Sequence, residues 1–319
     1  MRPLALAALF VTFLAGVASA QDYPTRPIRM IVPFSPGGGS DISARILADG
    51  LSEALGRTIV VDNRPGAGSV LGWSLAAKTT PDGYSTLLGN ISAAFNTALY
   101  KKLPYDAVRD FSPVSLVTQQ PNILVANPAL PAKTFKEFLA LAESQPGKLT
   151  FASAGRGSGT HLAMEMLLMS KKLDLIHVPY KGTGPAIVAL LGNQVSVFFS
   201  TYASALPHVK AGRLRAFAVT SSKRTRTLPD VPTVAESGFP GYEYYTWYGL
   251  LVPAKTPRPV VEKLNKATVA VLNSEKTRKR YSEQGVDPIP STPEHFAAYL
   301  ASEIKKWTKV VRAAKIPQQ

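Results

Sequence analysis

Short apolar segments rich in β-branched residues alternate along this chain with segments whose apolar positions recur every three or four residues. The first pattern is typical of buried strands and the second of amphipathic helices. The clearest helices are predicted at residues 41–55, 69–78 and 293–314; in the last, Phe296, Leu300, Ile304, Trp307 and Val311 share one face. We predict strands at residues 28–33, 58–61, 84–88, 114–118, 123–126, 149–152, 175–178, 195–199, 214–219 and 248–252.

Strands that alternate with helices predict an α/β fold in which parallel sheets are covered by helices on both faces. The chain has 319 residues, which is enough for two domains of ordinary size. Ligands of such sheets bind beyond the carboxyl ends of the strands, where loops lead into helices. The loops at those positions are therefore the first place to look for a site.

The first twenty residues have the pattern of an export signal. Arg2 precedes an apolar run at residues 4–17, and Ala18-Ser19-Ala20 fits the small-x-small cleavage rule. We predict a signal peptide at residues 1–20, cleaved after Ala20, and a mature protein in the periplasm; an uncleaved anchor is the alternative. Further along, the sequence has no run of 18 apolar residues without charge, so we expect no later membrane span.

The amino-acid composition excludes several kinds of catalytic and metal site. The sequence has no cysteine, which excludes cysteine nucleophiles, zinc–thiolate sites and iron–sulfur clusters. Its four histidines, His161, His177, His208 and His295, show no metal-binding spacing. We therefore expect neither a metal site nor a cofactor.

The net charge of +15 raises the question of nucleic acid. The basic residues are scattered, and the densest group, at residues 276–280, lies in a helical stretch where it is typical of a solvated face. Export also separates the protein from nucleic acid, so we expect no nucleic-acid partner. The charge does favour long-range attraction of small anions.

Four segments share an order of strand, glycine-rich loop and helix start. We call them the first loop (residues 34–41), the second (64–69), the third (152–160) and the fourth (180–185). Glycine permits left-handed backbone angles and close approach of a ligand, and a helix start offers N–H groups to an anion. A single loop of this kind is often only a connection, but four of them, two early and two in the middle, favour a shared small-anion site.

Other chemistry at these loops finds less support. None of them has the lysine of a phosphate-binding P-loop, and the sequence lacks a Gly-x-Ser-x-Gly nucleophile elbow. Ser158 and His161 lie three residues apart, but no carboxylate is evident to orient the histidine. A helix-capping serine is the favoured interpretation and a catalytic pair the alternative.

The chain resembles the periplasmic solute-binding proteins of tripartite tricarboxylate transporters, often called the Bug receptors. The resemblance covers essentially all of the mature chain and is specific in combination. It rests on Tyr23-Pro24, Arg26-Pro27-Ile28, Val32-Pro33-Phe34, Pro36-Gly37-Gly38, Asp41, Val61-Asp62-Asn63-Arg64-Pro65-Gly66-Ala67-Gly68, Pro81-Asp82-Gly83-Tyr84, Val178-Pro179-Tyr180-Lys181-Gly182, Ala205-Leu206-Pro207-His208 and Leu228-Pro229-Asp230-Val231-Pro232-Thr233.

The resemblance implies a two-lobed periplasmic binding protein fold, similar to type II, with two crossing strands as the hinge. The first lobe would comprise residues 21–122 and 222–319, and the second residues 123–221. It further implies a monomeric, non-catalytic receptor that captures a small organic carboxylate or dicarboxylate and delivers it to membrane transporter subunits. Implied ligand contacts are Phe34, Ser35, Gly37, Gly38, Ser40, Asp41, Ala67, Gly68, Ser69, Ser153, Ala154, Gly157, Ser158, Tyr180, Lys181 and Ser200.

The sequence departs from the family at one informative place. Many relatives carry an aspartate after the strand predicted at residues 195–199, where this chain has Ser200-Thr201-Tyr202. A ligand ammonium would find no charge there. Asp41 alone among the loop residues could serve it, and the alternative role of Asp41 is to cap its own helix. Phe34, Tyr180, Tyr202 and Trp247 are candidates for an aromatic wall. The alternatives to a transport receptor are a periplasmic enzyme using Ser158 or Tyr180 and the ligand-sensing partner of a membrane sensor.

Overall fold

The computed structural model describes residues 23–313, so the predicted signal peptide and its cleavage site lie outside the described residues. The strands are β1 (Ile28–Val32), β2 (Ile59–Asn63), β3 (Ser85–Asn90), β4 (Phe111–Ala126), β5 (Thr150–Ser153), β6 (Ile176–Pro179), β7 (Val197–Thr201), β8 (Arg215–Val219), β9 (Tyr245–Pro253) and β10 (Asp287–Pro288). The helices are α1 (Gly39–Leu55), α2 (Val70–Ala77), α3 (Ser92–Leu99), α4 (Phe135–Ser144), α5 (Gly159–Lys171), α6 (Thr183–Leu191), α7 (Tyr202–Lys210), α8 (Arg258–Asn273), α9 (Glu275–Glu283) and α10 (Pro293–Ala313).

The strands join in the order β2-β1-β3-β9-β4-β7-β5-β6, with β8 and β10 also paired to β4. β1 is parallel to β2 and β3 at one end, and β5 is parallel to β6 and β7 at the other. Helices cover both halves, so each half is an α/β lobe. The sequence predicts parallel sheets, whereas β9 is antiparallel to β3 and β4 is antiparallel to β7, β8 and β9, so the pairing is mixed.

β4 is the strand that joins the two halves. The sequence predicts separate strands at residues 114–118 and 123–126, whereas the structure has one continuous strand of 16 residues. Up to Pro121 it pairs with β9, and from Asn122 onward it pairs with β7. The polar residues and the proline between the predicted strands resemble a turn in sequence, but they mark the point where β4 exchanges partners between lobes.

The chain returns to the first lobe between β8 and β9. After β8, Phe239 packs on Phe135 of α4, and the Tyr242 hydroxyl donates to the Ala163 carbonyl of α5. These contacts are with helices of the second lobe, although the sequence-based boundary falls already at residue 221. We propose that the return crossing lies instead at Tyr244 and the start of β9, where Tyr244 N donates to Thr220 O at 2.9 Å.

α10 closes the first lobe by covering the crossing strands. Trp247 of β9 is fully buried and makes edge-to-face contact with Phe296 of α10. The Glu303 carboxylate accepts hydrogen bonds from both Trp247 Nε1 (3.0 Å) and Trp307 Nε1 (2.9 Å). This pairing satisfies indole donors that burial would otherwise leave without a partner.

Candidate ligand-binding site

The first and fourth loops meet across the two lobes. Ser35 donates from its backbone N (3.3 Å) and from its Oγ (3.0 Å) to the Lys181 carbonyl. Gly184 lies so close to the first loop that a Cβ there would stand 2.2 Å from Pro36 O. The glycine therefore serves contact between the loops as well as the helix start.

The second and third loops also meet. Gly68 has φ +58°, and a Cβ on it would stand 2.0 Å from Arg156 O. Asn96 of α3 holds the second loop from behind, because its Nδ2 donates to Gly68 O (3.3 Å) and Ser69 Oγ (3.2 Å). The two pairs of loops place the lobes in direct contact.

A small cavity of about 20 Å³ lies between the lobes beside these contacts. It is bordered by the N-terminal ends of four helices, α1, α3, α5 and α6, and by strands β7 and β9. The lining residues are Phe34, Gly38, Gly39, Ser40, Asn90, Ile91, Ala154, Ser158, Gly159, Thr160, Thr183, Thr201, Thr246 and Tyr248. This volume is room for about one water molecule, far below the roughly 300–1,000 Å³ of small-molecule sites, so a larger ligand requires the lobes to move apart.

At three of these helix ends the N-cap residue makes no side-chain hydrogen bond. At α3 the neighbouring Asn90 Oδ1 accepts from Ser92 N (3.2 Å) instead, which leaves α1 and α6. The N-cap residues of α1 and α6 are Gly38 and Gly182, and neither offers a side-chain acceptor to the N–H groups of the first turn. The first N–H groups of a helix have no partner within the helix, and the helix dipole makes this end positive. One uncapped end from each lobe thus faces the cavity, and an anion would satisfy both.

The cavity is electrically neutral in its side chains. Its described lining contains hydroxyls, an amide and backbone, and it includes no acidic, basic or histidine side chain. Burial raises the pKa of the Tyr248 hydroxyl well above its usual value, so this group keeps its proton. The site offers hydrogen-bond donors without a fixed counter-charge.

Asp41 is close to the cavity but fully engaged elsewhere. Its carboxylate accepts from Gly37 N (3.0 Å), from Asn63 Nδ2 (3.1 Å) and from the Arg45 guanidinium (3.0 Å). Its side chain is 6% exposed. The residue lies in the first turn of α1, behind the N-cap Gly38, and it ties the first loop to the end of β2. Its hydrogen-bonding capacity is therefore used in shaping the loop.

Polar atoms of the crossing strands converge behind the glycines of the cavity. A Cβ on Gly39 would lie within 2.9 Å of Tyr248 Oη, Thr201 Oγ1 and Gln120 Nε2. Gln120 Oε1 accepts from Ala203 N, which fixes the amide orientation and leaves Nε2 beside the Tyr248 hydroxyl without hydrogen-bond geometry. Buried donors without a partner are uncommon in folded proteins and call for an explanation.

The Tyr244 hydroxyl, near α5, is a second buried donor without a hydrogen-bond partner among the described residues. It would lie 2.2 Å from a Cβ on Gly159. Burial raises the pKa of this hydroxyl well above its usual value, so it remains a neutral donor. Tyr244 and Gln120 both come from the segments that connect the lobes.

Two stacked histidines support the third loop. The rings of His161 and His177 lie 4.2 Å apart, and His177 Nε2 lies 2.6 Å from Ser153 Oγ. Ser153 Oγ in turn accepts from Gly155 N at 3.1 Å. Burial, together with His161 and Arg156, lowers the pKa of His177 to about 3, so this ring is neutral at physiological pH.

Ser158 acts as the N-cap of α5. Its Oγ accepts from His161 N at 3.3 Å and lies 3.0 Å from Thr160 Oγ1, whereas the His161 ring points to Glu165 (3.3 Å). Serine Oγ and imidazole therefore do not form a nucleophile–base pair, and the capping interpretation is the one that this geometry favours.

The structure brings only part of the predicted contact set to the cavity wall. Phe34, Gly38, Ser40, Ala154 and Ser158 line it, while the remaining predicted residues lie beside it or outside it. Those are Ser35, Gly37, Asp41, Ala67, Gly68, Ser69, Ser153, Gly157, Tyr180, Lys181 and Ser200. Lys181 is exposed, and the second loop contacts the third loop and α3 instead of the cavity.

Several lining residues are missing from the contact set that was predicted from the sequence. Thr201 lines the cavity, whereas the predicted Ser200 is buried with its Oγ donating to Thr201 O (3.0 Å). Asn90 and Ile91 form a further strand-to-helix connection, one without a glycine after the strand. The signal that could have found Thr246 and Tyr248 is a pair of polar groups at alternate positions of an otherwise apolar strand.

Fewer of the predicted aromatic residues line the cavity than expected. Trp247 faces α10, and the Tyr202 hydroxyl lies 2.6 Å from both Thr225 Oγ1 and Thr227 Oγ1, away from the cavity. Of the four candidates, Phe34 lines the cavity, whereas Tyr180 is half-buried and is not part of the lining. Tyr248, which was not a candidate, supplies the second aromatic ring.

Residues 23–313 contain neither a metal-type cluster nor a helix of membrane-spanning character. No group of three or more histidine and carboxylate side chains in this range is arranged to hold a metal ion. No helix in the same range is long and apolar enough to cross a membrane.

Comparison with known proteins identifies the family. Residues 43–316 match the model of the tripartite tricarboxylate transporter family receptor. Protein BugT of Bordetella pertussis is 39% identical, with 98% of this chain and 97% of that protein covered.

Solved structures agree with this match. A Rhodopseudomonas palustris protein solved with adipate has a TM-score of 0.90 at 33% identity, covering 93% of this chain and all of the other. MatC from Rhodopseudomonas palustris, solved with bound malate, has a TM-score of 0.86 at 35% identity, covering 91% of this chain and all of the other. The two-lobed fold and the resemblance stated from the sequence are thereby confirmed. The chain belongs to the tripartite tricarboxylate transporter receptors, the family that includes the Bug proteins.

Proposed function

We propose that this chain is a periplasmic receptor that binds a small organic dicarboxylate between its lobes and presents it to the membrane subunits of a tripartite transporter. The observation that carries the proposal is the pair of uncapped helix ends, α1 from one lobe and α6 from the other, that face one neutral cavity. Each end favours an anion by about 0.3–1 kcal/mol. Two relatives of similar fold were solved with adipate and malate, which are dicarboxylates.

The chemistry of the lining favours a ligand without an amino group. A buried ammonium needs an acceptor, preferably charged, and an unpaired one is very costly. The described lining has no carboxylate, and Asp41 already accepts from Gly37, Arg45 and Asn63. The position of the family's frequent aspartate is occupied by Ser200.

The proposal includes a non-catalytic role and a monomeric state. The geometry around Ser158 supports capping, and family membership supports binding in place of turnover. The proposal also includes export directed by the signal peptide, which is then removed by cleavage after Ala20.

Matched ligand pairs test the proposal. In a thermal-shift and calorimetric screen, we expect succinate, malate and adipate to stabilise the protein more than aspartate and 2-aminoadipate. Native mass spectrometry of the freshly purified protein would identify a carried ligand. Consistently tighter binding of the amino acids would show that an acid serves the ammonium and would overturn this ligand class; binding of none of the acids would overturn the receptor role proposed for the cavity.

A further inference from the structure

A second pocket lies on the opposite face of the crossing strands. Pro121 of β4 pairs with Tyr245 of β9, and the preceding Gln120 pairs with Thr246. Successive side chains of a strand point to opposite faces, and Thr246 lines the ligand cavity. Pro121 and Tyr245 line the second pocket, which we call the rear pocket.

The walls of the rear pocket come from both lobes. One wall is the segment 221–227, which follows β8 of the second lobe, and the other is the segment 282–287, which connects α9 to β10 of the first lobe. The pocket therefore bridges the lobes at the hinge, as the ligand cavity does on the other face.

Three cations border this pocket. Arg224 is paired with Glu236 (3.0 Å), while Arg226 approaches Asp287 only to 3.9 Å, with both side chains at least 80% exposed. Such an exposed, loose pair contributes little. Lys223 is exposed and has no ion pair among the described residues. Two cations are thus available to a further anion.

Hydroxyl donors accompany the cations. Ser221 lines the pocket, is 4% exposed, and its Oγ has no hydrogen-bond partner among the described residues. The Tyr202 hydroxyl lies 2.6 Å from both Thr225 Oγ1 and Thr227 Oγ1. Because one phenol carries one proton, it donates to one threonine and accepts from the other. The threonine that accepts keeps its own proton for another acceptor.

We propose that the rear pocket binds a small oxyanion such as phosphate. An oxyanion combines negative charge with several acceptor atoms, so it suits a guanidinium, an ammonium and hydroxyl donors at once. It would also satisfy the buried Ser221 hydroxyl, which otherwise lacks a partner. This site is separate from the ligand cavity and takes a different occupant.

Titration with sodium phosphate tests the proposal, with chloride balancing the ionic strength and heat and thermal shift as readouts. We expect the wild-type protein to bind and the double variant Lys223→Ala/Arg226→Ala to bind at least about tenfold more weakly. Ser221→Ala should weaken binding severalfold. Lys279→Ala removes an exposed cation of α9 outside the pocket and should leave binding unchanged.

The ligand cavity must be excluded as the place where phosphate binds. Gly38→Val narrows that cavity, so phosphate binding by this variant should equal that of the wild-type protein. Loss of phosphate binding in Gly38→Val would place the anion in the cavity and overturn the proposal. Equal binding by the double variant and Lys279→Ala, or no binding by the wild-type protein, would also overturn it, and either result would leave the receptor role untouched.

Discussion

The two faces of the crossing strands offer different groups to an anion. On the cavity face, Thr246 and Tyr248 are neutral, and the positive potential comes from helix ends. On the rear face, Lys223 and Arg226 carry full charges and remain exposed. The difference follows burial, because an enclosed cation without a permanent partner would be costly whenever the ligand leaves, whereas a solvated one is not.

A receptor gains from having no charged side chain in its own ligand site. Backbone N–H groups and hydroxyls are fixed in position by helices and strands and can exchange a ligand for water. Specificity then comes from geometry and from the absence of an acceptor for an ammonium. The rear face, open to solvent, has no such restriction.

The largest effect is expected from Gly38→Val. Gly38 lines the cavity with extended backbone (φ −88°), so valine is tolerated by the main chain, but its Cβ would already stand 3.3 Å from the Thr183 Cβ. We expect dicarboxylate binding to fall at least about 100-fold, measured by calorimetry, while the melting temperature changes little. Gly192→Val is the control, because Gly192 is exposed and its added Cβ would make ordinary contacts of 3.5 Å or more. Normal binding by Gly38→Val would mean that this helix end does not hold the ligand.

Gly157 would be a poorer choice for such a test, although it belongs to the same pattern in the sequence. Its φ of +75° strains any side chain, and an added Cβ would lie 2.5 Å from Asn96 Oδ1. A defect in Gly157→Val would therefore report on backbone strain and on the contact with α3. Sequence shows where glycines cluster, but it does not show which of them face a ligand and which face another loop.

The parts of the site that could be predicted are local in sequence. A strand end, a glycine and a helix start are neighbours along the chain, so the first, third and fourth loops are recognisable from a single sequence. The two-lobed fold is predictable for the same reason, because the family motifs are also short stretches of neighbouring residues. Asn90 and Ile91 escape because their connection lacks the glycine signal.

The parts that could not be predicted depend on pairing between distant segments. Thr201 is distinguished from Ser200 only by the register of β7, and a shift of one residue exchanges the faces of a strand. Gln120 reaches the cavity region because β4 continues through both lobes, which its proline and polar residues conceal. Buried donors without partners become visible only when all neighbours are in place.

Tyr244→Phe should have an intermediate effect that separates two explanations of the unpaired hydroxyl. If the ligand accepts from this hydroxyl, dicarboxylate affinity should fall about tenfold, equivalent to about 1.4 kcal/mol. Without ligand, the variant should be as stable as the wild-type protein or more so, because removing an unsatisfied buried group relieves a desolvation cost. Calorimetry and urea unfolding measure the two effects. Unchanged affinity would show that Tyr244 does not bind the ligand. The ligand-binding groups of the cavity face would then be Tyr248 and the helix ends.

The smallest effect is expected for His177, the histidine that supports the third loop. Like the side chains that line the cavity, it is uncharged at neutral pH. The pKa of His177 is lowered to about 3 from an ordinary value of 6.5, chiefly by burial and also by His161 and Arg156. Between these values the unfolded chain binds a proton that the folded protein does not. Stability is therefore fully supported above about pH 6.5 and is lost as the pH falls toward 3.

His177→Asn keeps a polar partner for Ser153 Oγ but does not titrate. Urea unfolding between about pH 7.5 and 4.5 should show a shallower decline in the free energy of unfolding for this variant than for the wild-type protein, by at most one proton taken up on unfolding. His208→Asn is a comparison at a histidine of α7 outside the cavity lining. Partial burial and Arg213 lower the pKa of His208 as well, so this variant reports the loss of a histidine with a lowered pKa elsewhere in the protein. Dicarboxylate affinity should also be measured as the pH is lowered. If it decreases in the wild-type protein and in His208→Asn but not in His177→Asn, protonation of His177 disrupts its contact with Ser153 and with it the third loop. Identical pH dependence of stability in the wild-type protein and His177→Asn would mean that His177 titrates normally in the folded protein, and the cavity face would then have a chargeable group directly behind it.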